Sequence, residues 1–190
     1  MAAGALPGTF DPPTVAHLAI AEAAWRQGQL DRVDLVVSED PLGKRPTVPS
    51  LADRVAVLEE VASSRPWLGV RVTALKLISD LAASYDAVVL GADKWVQVVD
   101  PSWYGGSITA RDAAVAALPR LLLASRPPHR VPAGLPPGAL LLDVDAAHAG
   151  VSSSEVRAGR WAWMAPEAAG FDEATGAWSD PARYLRERAG

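Results

Sequence analysis

Residues 8–18 read Gly8-Thr9-Phe10-Asp11-Pro12-Pro13-Thr14-Val15-Ala16-His17-Leu18. A short apolar run over residues 3–7 precedes them. After them, Val15 to Gln29 carries Leu18, Ile20, Ala21, Ala24 and Trp25 at helical spacing. The stretch is therefore a turn between a first strand and a first helix. In an open α/β sheet, ligands bind at the carboxyl ends of strands. A helix amino terminus there offers unpaired N–H groups and the positive end of a dipole, which suit phosphate. Gly8 permits close backbone approach. Thr14 and His17 are three apart and project from one side of the first helical turn. A hydroxyl and an imidazole beside open amides form a clamp for a reacting phosphate. By itself, His17 also reads as a helix cap or packing residue.

Working outward, Arg32–Val37 reads as a buried strand, followed by a Pro- and Gly-containing loop from Ser38 to Pro49. Ser50 reads as the N-cap of a helix over Leu51–Ser63, with Val55, Leu58 and Val61 on one face. Further strands are predicted at Leu68–Val72, Ala87–Leu90, Leu121–Ala124 and Leu140–Leu142, and a short helix at Leu75–Ser84. Alternating strands and helices predict an α/β fold. It is a Rossmann-like, mainly parallel sheet of five or six strands with helices on both faces. Residues 1–190 are expected to form one domain, with 161–190 a C-terminal helical extension packed on it.

Composition excludes several classes. There is no cysteine, so disulfides, thiolate metal sites and a cysteine nucleophile are absent. A formal net charge of −4 gives no basic field for nucleic acid or an anionic membrane, so phosphate binding must be local. No apolar run approaches the ~20 residues of a membrane span. The first residues lack the basic flank of a signal peptide, and a cytoplasmic location is expected. A homo-oligomer is compatible with this sequence.

A second anion site is legible at Val151-Ser152-Ser153-Ser154-Glu155-Val156-Arg157. Ser152 or Ser153 is a natural N-cap, and Glu155 completes a capping box with Ser152. Three hydroxyls, open helix amides and the planar fork of Arg157 suit phosphate. In isolation the same residues are ordinary capping chemistry.

Together the two stretches resemble the nucleotidyltransferase superfamily, whose first motif is (H/T)xGH and whose second is ISSTxIR or ISSSxxK. Nicotinate and nicotinamide mononucleotide adenylyltransferases carry the His form of the first motif. Phosphopantetheine adenylyltransferase carries the Thr form, as Thr14 does here. The resemblance implies transfer of AMP from ATP to a phosphorylated small molecule, with release of pyrophosphate. It implies Mg²⁺ bound through the nucleotide phosphates and no metal site made of protein ligands. His17 and Thr14 would serve the α-phosphate, beside Gly8, Thr9 and Phe10. Ser152, Ser153, Ser154 and Arg157 would hold the β- and γ-phosphates. Ala16 stands where the family has Gly, and its methyl is expected to crowd the adenine.

The family also has a Lys in the loop after the second strand and an Arg on the next helix, which places Lys44 and Arg54 on the acceptor, with Lys44 reaching the phosphates. A solvated charge and a helix salt bridge are the plainer readings. Gly91-Ala92-Asp93, with Trp103-Tyr104 beyond, resembles the GxD…W element of the nicotinate and nicotinamide enzymes. There Gly91 and Asp93 would border the nucleotide, Asp93 near a ribose, with Trp103 stacked on a pyridine ring. A core or lid role for Trp103 is the alternative. The acceptor is read as nicotinate or nicotinamide mononucleotide, and Ser50 to Val61 favours phosphopantetheine instead. A catalytically inactive nucleotide-binding regulator is the alternative that Ala16 suggests. Asp11 is expected to close its turn onto its own backbone.

Overall fold

The computed structural model describes residues 1–41, 48–127, 129, 131 and 135–189. Six strands, β1 (Ala3–Pro7), β2 (Arg32–Ser38), β3 (Leu68–Thr73), β4 (Ala87–Gly91), β5 (Arg120–Ala124) and β6 (Leu140–Leu142), form one parallel sheet. Their order is β3-β2-β1-β4-β5-β6. The order reverses between β1 and β4, which is the switch point of a doubly wound, Rossmann-like fold.

Strand residues alternate between two cores, because successive side chains leave opposite faces of a sheet. On β4, Val89 packs to one side and Val88 and Leu90 to the other; on β5, Leu122 and Leu121 divide the same way. The first core holds α1 (Val15–Gly28), α2 (Leu51–Ser63), α7 (Pro166–Thr175) and α8 (Pro181–Arg188). The second holds the short α3 (Ile78–Ala82) and α4 (Ala92–Val98), with α5 (Ile108–Ala116) at its margin.

Two expectations change. The helix predicted over Leu75–Ser84 is confined to Ile78–Ala82 and has no side-chain cap at Leu77. Residues 92–116, read without helices, contain α4, a 3₁₀ turn at Pro101–Tyr104 and α5. No residue of α5 is fully buried, so its sequence lacks the apolar stripe that marks a packed helix. The C-terminal segment carries α7 and α8 after a 3₁₀ turn at Trp161–Trp163. It returns to the front of the sheet: Thr14 and Met164 form an antiparallel bridge, and Ala165 donates to the Pro13 carbonyl at 3.0 Å.

Candidate active site

The loop after β1 arrives at the switch point. Gly8 donates to the Val36 carbonyl of β2 at 3.0 Å, which continues the sheet one residue beyond Pro7. A Cβ on Gly8 would lie 2.9 Å from the Phe10 ring, so glycine is needed here for that aromatic. Phe10 is buried at φ 45°, in the left-handed region that few non-glycine residues occupy. Its ring meets His17 edge-on, with centroids 5.1 Å apart.

Thr14 caps α1 and is 0% exposed. The Thr14 amide donates to His17 Nδ1 at 3.0 Å, and Thr14 Oγ1 lies 2.9 Å from the same nitrogen. A backbone N–H can only donate, so Nδ1 is the acceptor and Nε2 carries the imidazole proton. Thr14 thus orients a half-buried His17 and fixes its tautomer. It was expected to face the ligand beside His17, but capping turns its hydroxyl inward. Ala16 is 2% exposed with no ligand present. Its methyl packs against protein.

Distant segments hold the loop. Arg54, 3% exposed on α2, donates to the Thr9 carbonyl at 2.7 Å. Burial pulls its guanidinium below the ordinary range, and the carboxylate of Asp11 opposes that shift. Asp11 does not close its own turn. Its Oδ1 accepts from the Trp178 indole at 2.8 Å, and its Oδ2 lies 3.5 Å from Arg157 Nη1. Arg157 also donates to the Asp11 carbonyl. A further bond runs from Ser153 Oγ to the Pro12 carbonyl at 2.7 Å. The two sequence motifs, 141 residues apart at this contact, are joined directly.

The second motif forms α6 (Ser153–Arg157), with Ser152 as N-cap accepting from Glu155 N at 3.2 Å. Glu155 does not complete the box, because its carboxylate pairs with Arg160 at 3.0 Å. Ser154 and Arg157 are exposed. Across the switch point, Gly91 caps α4, and a Cβ there would sit 2.5 Å from Asp93 Oδ1. That oxygen is buried and makes no hydrogen bond among the described residues, with Arg126 Nη1 3.9 Å away.

A cleft opens beside Gly8 and Thr9 at the ends of β1 and β2. It encloses about 710 Å³, open solvent included. Its walls include Pro41, Lys76, Leu77, Lys94, Trp103 and Tyr104. Tyr104 donates its hydroxyl to the Val98 carbonyl at 3.0 Å, which fixes the aromatic turn against α4. Trp103 is half-buried in the same wall. Sequence reasoning missed Lys76, Lys94 and Trp178. Arg54 is brought to the signature loop rather than to this cleft, and Lys44 lies outside the described residues.

A family model described as cytidylyltransferase-like matches residues 5–159. The probable nicotinate-nucleotide adenylyltransferase of Bordetella avium (strain 197N) is 31% identical over 166 residues, which cover 81% of this chain and 83% of that protein. That of Cereibacter sphaeroides (strain ATCC 17025 / ATH 2.4.3) is 33% identical over 138 residues, covering 66% and 74%. The solved structure of Plasmodium falciparum nicotinic acid mononucleotide adenylyltransferase, complexed with NaAD, matches with a TM-score of 0.69 at 12% identity. The match covers 93% of this chain and 96% of that one, and speaks for the fold alone. The loop after β1, the motif docked on it and these matches lead to one assignment: the chain belongs to the cytidylyltransferase-like family and is an adenylyltransferase.

Proposed function

We propose that this enzyme transfers AMP from ATP to nicotinate mononucleotide and releases pyrophosphate. The observation that carries the reading is the direct contact of the two motifs at the switch point, beside a cleft walled by Trp103. The names of the curated relatives support the acceptor.

A phosphate oxygen of the acceptor attacks the α-phosphorus of ATP. The new P–O bond forms as the bond to the bridging oxygen breaks, and pyrophosphate leaves with that electron pair. The nucleophile is already ionised, so positioning and charge stabilisation carry the reaction. His17 donates Nε2–H to the α-phosphate, held in that tautomer by Thr14. Ser153 spends its one hydroxyl proton on Pro12, so it braces the loop. Ser154 and the remaining N–H groups of Arg157 receive the leaving pyrophosphate. Asp93 Oδ1 is suited to accept from a ribose hydroxyl. Mg²⁺ would be held through the phosphates of ATP, where it would supply charge neutralisation. Asp11, engaged by Trp178 and Arg157, is not offered as its ligand.

Incubating the purified protein with MgATP and nicotinate mononucleotide tests this directly. Mass spectrometry should find the dinucleotide, with stoichiometric pyrophosphate. Product formed only with 4′-phosphopantetheine would replace the acceptor, and no product with any acceptor would favour a regulator that binds nucleotide without turnover.

A further inference from the structure

Lysine is scarce in this chain: of 18 basic residues only Lys44, Lys76 and Lys94 are lysines, and the rest are arginines. Both lysines among the described residues line the cleft beside Gly8. Among the described residues no carboxylate lines it, although the chain as a whole carries a net charge of −4. Lys76 and Lys94 thus bring two ammonium groups to the cleft of an acidic protein.

Lys94, Gln97 and Val98 share one face of α4, at spacings of three and four, and all three border the cleft. Val98 is the residue whose carbonyl anchors Tyr104, next to Trp103. Lys94 Nζ donates to Gln97 Oε1 at 3.0 Å. Lys76, in the segment before α3, pairs with Asp40 at the rim. Both lysines are engaged within the protein, and an ammonium carries three N–H donors that it can redirect to a ligand oxygen.

We propose that Lys76 and Lys94 are the residues by which the cleft selects an acid over its amide. Their ammonium groups receive the carboxylate on the pyridine ring of the acceptor while Trp103 takes the ring face. This rests on the reading of nicotinate mononucleotide as acceptor and adds the residues that set its specificity. The phosphate is common to nicotinate and nicotinamide mononucleotide, so a lysine contact to phosphate affects both alike. A contact to the ring carboxylate affects the acid alone.

The test is kcat/KM for both mononucleotides with the native enzyme, Lys76→Gln, Lys94→Gln and the double variant. The native enzyme should prefer the acid. The double variant should lose about tenfold or more with the acid, as expected for lost charge-assisted hydrogen bonds, and should hold its rate with the amide. Lys94→Arg, which keeps the charge, should keep the preference. Equal losses with both acceptors, or no loss with either, overturn the assignment while the proposed reaction stands. A native enzyme that adenylylates neither mononucleotide overturns the proposed reaction and the assignment together.

Discussion

The signature loop and the cleft beside it meet at Gly8 and Thr9, yet they are built differently. The loop is buried and gripped by Arg54 from α2, Ser153 and Arg157 from α6, and Trp178 beyond α7. The cleft wall is a 3₁₀ turn and the ends of short helices, with Lys76 exposed and Trp103 half-buried. The chemistry at the α-phosphorus needs donors held in place before the transition state arrives, and a buried network supplies that rigidity. Acceptor recognition needs only a shaped wall with a few polar groups. Substitutions in the loop should therefore strike turnover or folding, and substitutions in the wall should strike acceptor KM.

The largest expected effect is His17→Ala, which should lower kcat by about two to four orders of magnitude through lost charge stabilisation, with the fold retained. Steady-state kinetics beside a thermal melt checks both halves. A near-normal rate would remove His17 from the mechanism. Next, Trp178→Phe keeps a ring but removes the proton given to Asp11. It should destabilise the fold by about 1–3 kcal/mol, the cost of leaving a buried acceptor unmet, and raise KM for ATP more than for the acceptor. Denaturant titration and the two KM values are the readouts.

Trp103→Ala probes the other side. Acceptor KM should rise about tenfold, roughly 1.4 kcal/mol of lost stacking, with ATP KM and stability nearly unchanged. If Trp103→Ala destabilises the protein as much as Trp178→Phe, the contrast between rigid loop and accommodating wall is wrong. The smallest effect belongs to Ala16→Gly. It should cost at most about 1 kcal/mol of stability from helix propensity and leave ATP KM within about threefold, because the Ala16 side chain is buried in protein. A large gain in turnover would show that the methyl does obstruct nucleotide.

The β1-turn-α1 unit was legible because its signals are local: an apolar run, a glycine, a threonine cap and helical spacing. The mainly parallel sheet followed from strands alternating with helices. Residues 92–116 were opaque because α4 and α5 are short and α5 buries no residue fully. The grip on the loop was also opaque, since it joins residues far apart in sequence. Asp11 read as a turn residue, and only folding shows that it and Trp178 form one hydrogen bond across 167 positions. Arg54 was singled out by the family resemblance, but its burial beneath Thr9 depends on how α2 crosses the sheet. Lys76 and Lys94 carried no motif, and only their shared cleft distinguishes them.

The bond from Trp178 to Asp11 has a consequence for how the enzyme is born. Ribosomes release the signature loop first and its latch 167 positions later. Until that indole emerges, the loop lacks the donor that meets Asp11, and Met164 and Ala165, which bridge to Thr14 and Pro13, are themselves late arrivals. A chain interrupted before Trp178 therefore carries the motif residues without the frame that holds them together.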